Sequence, residues 1–194
     1  MSVNNEAKTT KLVTQWNIST LVYDSDSQTF EGSIKRPNGT TIVEDAVGLL
    51  NMYEYQSSYK GTTYKNGYLN NGLQWWTLTL NSSTKNIRII NNSGNVENLH
   101  QSNWLGIRPS IILKSNIRTV DGTGTIDDPY RLKGDADTDL NEVKLNTRYS
   151  GEYISFGIGE NNSYRIVSHE TEGLTKITSA EPLKESNQFI KKQF

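Results

Sequence analysis

The runs GLQWWTLTL (residues 72–80), KNIRIINNSG (85–94), WLGIRPSIILKS (104–115) and DGTGTIDDPYRL (121–132) decide the fold of this chain. Three of its four Trp stand here, beside its densest β-branched runs. Short apolar runs bounded by Gly, Asn and Pro read as strands. Residues 73–80, 86–90 and 107–113 are therefore expected to be strands, with NNSG (91–94) as a tight turn after the second. Neighbouring side chains on a strand point to opposite faces. Trp75 and Trp76 then go to different sides, and at most one is free for a ligand.

Upstream, residues 1–10 read as a loose lead-in, and 12–23 as a short helix or irregular segment running into a strand. Residues 29–34 alternate, and KRPNGT (35–40) is a hairpin turn in which Asn38-Gly39 gives the type I′ signal. Residues 41–43 are then a strand. EDAVGLLNMYEYQSSY (44–59) is the helix candidate: Val47, Leu50, Tyr53 and Tyr55 fall roughly on one face after an acidic start. KGTTYKNGYLNN (60–71) is a loop rich in Tyr, Gly and Asn.

Downstream, KGDADTDLNE (133–142) reads as an acidic, flexible linker. A second β set follows at 151–156, 164–168 and 174–178, separated by GENNS and ETEG turns. Pro182-Leu183 breaks the pattern, and residues 185–194 read as the start of a helix.

At 194 residues the chain is one domain, or one domain with a piece of another. Mean hydropathy is −0.65, polar for a globular chain. Its 21 Asn suit a loop-rich β protein, because Asn tolerates left-handed backbone and makes Asx-turns. The net charge of −1, with no basic block, lacks the footprint of a nucleic-acid binder. No apolar run is long enough to span a membrane, and the N-terminus has no apolar core of a signal peptide. With no Cys, disulfides and thiolate chemistry are excluded.

Tyr53, Tyr55, Tyr59, Tyr64 and Tyr68 form the best candidate binding surface, with Tyr59, Tyr64 and Tyr68 as its ligand contacts, since Tyr gives large contact area at little entropic cost, although an amphipathic helix packed on a loop also explains the cluster. Trp76 and Trp104 are candidates for stacking on a sugar ring, although core packing explains the Trp pair better. Arg108 lies between apolar runs and needs a partner if buried, a carboxylate such as Glu54 or Asp45, which makes it a structural ion pair or carbonyl clamp. Asp135, Asp137 and Asp139 share the spacing of the first EF-hand ligands, a calcium signal. Position six is Leu140 rather than Gly, however, and position twelve is Asn146 rather than Glu. Calcium is the one cofactor the sequence suggests. His100 and His169 are far apart and outside any triad or ligand pattern, so no catalytic residue is expected.

In combination WWTLTL, the R-I-I-N-x-S-G turn, GIRPSIILK and GTGTIDDPYRL resemble a family of uncharacterised domains in exported and surface proteins of Gram-positive bacteria. The likeness covers roughly residues 12–132. Its motif positions Trp75, Gly106, Arg108, Pro109, Pro129 and Tyr130 are assigned structural roles. The layout is also similar to the second half of the C-type-lectin-like fold shared with formylglycine-generating domains. That implies an α+β, β-dominated fold: a twisted, short-stranded sheet with one or two helices. The catalytic cysteines of those domains have no counterpart here.

SGEYISFGIGENNSYRIVSHETEGLTKITSAEPL (150–183) resembles the opening half of the same domain type. The halves stand in inverted order: 11–132 as the C-terminal half and 143–194 as the N-terminal half, joined by 133–142. Three explanations fit: parts of two tandem copies, a circular permutant, or completion of one chain by the next. The expected function is a non-enzymatic, extracellular structural module of the cell surface, whose partner is itself, assembling through Tyr153, Ile154, Phe156, Tyr164, Ile166 and Ile177. The alternative is an adhesin that binds carbohydrate or host protein through the Tyr-rich loop.

Overall fold

The structure, a computed structural model, describes residues 14–18, 20–21, 23–24, 29–30, 41–59, 66–81, 86–134, 137–138, 141–157, 162–183 and 187–188. The first block opens with β1 (Thr14–Ile18), β2 (Thr20–Leu21), β3 (Tyr23–Asp24), β4 (Thr29–Phe30), β5 (Thr41–Asp45) and helix α1 (Met52–Ser57). It continues with β6 (Trp75–Asn81), β7 (Ile87–Ile90), β8 (Val96–Leu99), β9 (Trp104–Leu105), β10 (Ser110–Leu113), β11 (Arg118–Asp121) and β12 (Tyr130–Leu132). The second block adds β13 (Val143–Lys144), β14 (Tyr153–Ser155), β15 (Ser163–His169), β16 (Thr175–Ser179) and β17 (Asn187–Gln188). The fold is β-dominated, with a twisted mixed sheet and, among the described residues, one short α-helix. No described helix is long and apolar enough to cross a membrane.

The largest sheet draws on both blocks, in the order β10-β16-β15-β14-β12-β11-β13. Only β12 and β14 run parallel within it. A second sheet has the order β2-β6-β7-β8, and three ribbons pair β1 with β5, β3 with β4, and β9 with β17. The expected turn after β7 forms: the Gly94 N–H donates to the Asn91 carbonyl, and Asn91 Oδ1 accepts from the Ser93 and Asn95 N–H groups. Gly94 has φ +79°, a left-handed value that glycine takes without strain.

Alternation on β6 builds two of the three core clusters. Trp75 enters one with Leu50, Met52, Tyr55, Leu69, Ile90 and Val167. Trp76, on the other face, joins Ile87, Ile89 and Leu105. The third cluster joins Ile111 and Leu113 of the first block to Leu145, Ile154, Ile166 and Ile177 of the second. Hydrophobic burial therefore runs across the boundary between the blocks.

Three expectations need correction. The helix expected over residues 44–59 is confined to Met52–Ser57. Its start is set by a capping box: Asn51 Oδ1 accepts from the Glu54 N–H, and Glu54 Oε2 accepts from the Asn51 N–H. Before it, Gly48 is tied to β10 by bonds between both backbone groups of Gly48 and Ser110, at 2.9 and 2.8 Å. Strand β5 ends at Asp45 and the chain bends at Ala46 before this bridge, so no helix forms over 44–48. Residues 14–18, expected as helix or irregular chain, form a strand whose Trp16 is buried. Asn187–Gln188, placed at the start of a helix by the sequence reading, pairs instead with Trp104–Leu105. The hairpin turn expected at 35–40 lies outside the described residues.

A Cβ at Gly48 would stand 2.1 Å from the Trp16 ring, so this position requires glycine. Gly48→Ala is expected to lower stability by about 1–3 kcal/mol, the usual range for overpacking a core. Chemical denaturation checks this, and an unchanged midpoint would remove Trp16 from its place over Gly48.

Candidate functional site

The chemistry concentrates where the two blocks meet. β10 pairs antiparallel with β16, Ser110 opposite Thr178 and Ile111 opposite Ile177. Just before β10, the Pro109 carbonyl accepts from the Ser179 N–H at 2.9 Å and from the Thr178 hydroxyl at 3.1 Å. Arg108 is fully buried. Its Nε donates to the Ser179 carbonyl at 2.8 Å, and its two terminal nitrogens donate to the Leu69 and Ala180 carbonyls, each at 2.5 Å. The guanidinium also lies over the Trp75 ring, 5.3 Å from its centroid. Burial first, and then the nearby Arg165, push its pKa down to about 10, so it stays charged at neutral pH.

Of the two roles expected for Arg108, the structure forms the carbonyl clamp. The carboxylate partner is not there, because Glu54 is bonded to Lys176 of β16 at 2.5 Å. Both side chains of that pair are almost wholly buried. The Lys176 ammonium also lies 4.7 Å from the centre of the Trp16 ring, a cation–π contact. Asp45, the other carboxylate considered, uses Oδ1 to accept from the Ala46 and Val47 N–H groups.

At the far side of the seam, Tyr130 is buried and its hydroxyl donates to Glu152 Oε1 at 3.2 Å. The Arg148 guanidinium covers its ring at 4.2 Å. Gly106 is held by close approach, since a Cβ there would meet Pro182 at 2.6 Å. Pro129 serves the DGTG turn: its carbonyl lies against Gly122, where a Cβ would stand 2.3 Å away. Pro182-Leu183 ends the last long strand and rests on the GIR motif, with the Leu183 N–H donating to the Ile107 carbonyl.

Between the blocks opens a groove of about 400 Å³. Tyr68, Asn70 and Asn71 line it from the first block, and Tyr153 and Arg165 from the second. The Arg165 guanidinium lies 4.1 Å from the Tyr153 ring centre and 5.1 Å from that of Tyr68. Burial, the largest influence, raises the Tyr68 pKa to about 12, so its phenol stays neutral.

The sequence-predicted residues divide. Tyr68 lines the groove, Tyr59 packs half-buried against the helix cluster, and Tyr64 lies outside the described residues. Trp76 is not available to a ligand, because β6 is covered on both faces and the ring is 0 % exposed. Trp104 is 64 % exposed, but it does not line the groove. Ile154, Ile166 and Ile177 are buried in the shared cluster, Phe156 and Tyr164 pack against it, and Tyr153 faces Arg165.

Asp135 and Asp139 lie outside the described residues. Asp137 binds a cation of the protein's own: its Oδ2 accepts from Arg131 at 2.8 Å and from the Gly134 N–H at 2.6 Å. Arg131 first, then Gly134, hold the Asp137 carboxyl below the usual carboxylate range. Among the described residues no group of three potential metal ligands converges. His100 Nδ1 meets the Ser102 hydroxyl at 2.7 Å, but on an exposed turn where the Ser102 N–H donates to the same nitrogen.

The sequence reading did not single out Arg165 or Lys176. A charged residue inside an alternating strand was the available signal in both YRIVS and LTKIT.

Lys176→Met strands the Glu54 carboxylate in a buried site and is expected to cost about 3 kcal/mol. Glu54→Leu combined with Lys176→Met removes both charges and is expected to recover most of that loss. Urea unfolding of the two singles and the double checks this; purely additive losses would dissolve the pair. No protein family, curated protein or solved structure matches this chain.

Proposed function

We propose that the chain is a non-enzymatic structural module of an extracellular bacterial surface protein, of the C-type-lectin-like kind, that assembles by complementation between its two blocks. One observation carries this reading: the first block ends in an acceptor edge that the second block fills. β16 lies on β10, and Ser179 and Ala180 supply two of the three carbonyls that Arg108 requires. Without that partner, β10 would present open backbone groups on one side and half of the shared apolar cluster would be bare.

The same surfaces fit a second copy. Residues 133–142 extended reach roughly 30 Å, enough to hand the second block to a neighbour. Within one chain their two ends meet through Lys133 and Glu142, 2.5 Å apart, with Arg118 at 3.9 Å from the same carboxylate. That pair is partly exposed, and exposed pairs contribute little, so opening it costs little. Exchange between copies would close as a dimer or continue as a fibre. The motif resemblance to Gram-positive surface domains supports the setting, and the mixed sheet with, among the described residues, one short helix supports the fold.

Two variants of this chain test the assembly. Arg108→Met cripples the acceptor and Ile177→Asp the donor, and each alone is expected to lose its cooperative melt. Mixed during refolding, they are expected to restore one intact seam in a heterodimer, detected by light scattering and circular dichroism. No recovery on mixing, with the parent chain monomeric at every concentration, would confine the seam to single chains and end the proposal.

A further inference from the structure

The seam carries a cation that the fold does not neutralise. Arg165 stands in β15 opposite Tyr153 of β14. Its Nε and one terminal nitrogen donate to the Gly151 carbonyl at 2.9 and 2.6 Å, and the other terminal nitrogen donates to the Tyr153 hydroxyl at 2.7 Å. A guanidinium has five N–H groups, so one on each terminal nitrogen is left over. Among the described residues no carboxylate lies within ion-pair distance of it. The groove wall carries one cation, Arg165, and one acid, Glu181. A ligand with one carboxylate matches the one guanidinium, and a second negative charge would meet Glu181.

The remaining polar lining is neutral. Ser163 shares a strand face with Arg165, and its hydroxyl has no partner among the described residues. A peptide cannot add here as a strand, because β15 and β14 are both interior to the sheet and already paired on each side. The occupant must be read by side chains. About 400 Å³ is at the small end of ligand pockets, the size of a sugar unit or two.

The geometry points to a binding site for an acidic sugar, a pyranose bearing one carboxylate, held by the two remaining N–H groups of Arg165, with ring hydroxyls on Ser163 and Asn71. Both blocks build this groove, so a bound sugar holds them together. The site goes beyond the assembly reading and does not depend on it. A chain that never exchanges its blocks has the same groove.

Ligand titration of the full chain, followed by NMR, tests the site with methyl glucuronide, methyl glucoside and a short peptide with a free C-terminal carboxylate. Methyl glucuronide is expected to shift the amides of β14 and β15 and to bind roughly tenfold more tightly than the uncharged glucoside. Arg165→Met is expected to abolish that preference while the thermal melt persists. Arg165→Lys and Ser163→Ala carry the test should Arg165→Met fail to fold, and each is expected to weaken glucuronide binding by roughly threefold or more. Equal binding of glucoside, a preference for the peptide, or unchanged affinity in Arg165→Lys and Ser163→Ala would overturn the proposal.

Discussion

A buried guanidinium holding three backbone carbonyls is the constraint on which the rest of this fold depends. Moving a cation out of water is tolerable only if its N–H groups are met by well-placed acceptors. Arg108 finds one acceptor, Leu69, in its own block, and two, Ser179 and Ala180, in the second block. The first block alone would leave most of this charge unmet. The same short stretch does more: Pro109 accepts from Ser179, Ser110 bonds Gly48 on one side, and β10 takes β16 on the other. The GIRPSIIL segment is thus where helix approach, sheet edge and second block are joined.

Around that segment the fold is layered. β6 sends Trp75 toward the helix and Arg108, and Trp76 toward the cluster under Leu105. The pair Glu54–Lys176 links α1 directly to the second block, and its residues stand 122 positions apart in sequence. Such a pair adds less stability than apolar residues of the same size, yet it punishes any arrangement that separates its partners. Arg108 and Lys176 therefore both enforce the seam, one by carbonyls and one by a carboxylate. The outer edges are managed differently. β8 exposes Glu97 and Asn98, and β13 ends on exposed Lys144, polar groups that discourage pairing with another sheet.

Much of the strand pattern was legible in the sequence. The runs at 73–80, 86–90, 151–156, 164–168 and 174–178 alternate or cluster between turn residues, and each contains a strand. The helix was legible in place but not in extent. Periodicity ran through Gly48, where the bonds to Ser110 and the Trp16 ring over its Cα keep the chain out of a helix. The role of Arg108 was half legible: a charge between apolar runs demands partners, but backbone carbonyls leave no signature in sequence. At the groove, Tyr68 was anticipated as a binding residue. Arg165 was not, because what distinguishes it is the lack of a nearby carboxylate, a property of three-dimensional surroundings that spacing does not reveal.

If the second block finishes the first, the two open and close as one unit. Native-state hydrogen exchange at β10 and β16 measures this directly. The amides of Ile111, Leu113, Lys176 and Ile177 are expected to share one opening free energy, equal to that of global unfolding, and the milder change Arg108→Lys is expected to lower all of them together. Protection of β10 that persists while β16 exchanges freely would contradict it, and would make the second block an appendage rather than the missing part of the sheet.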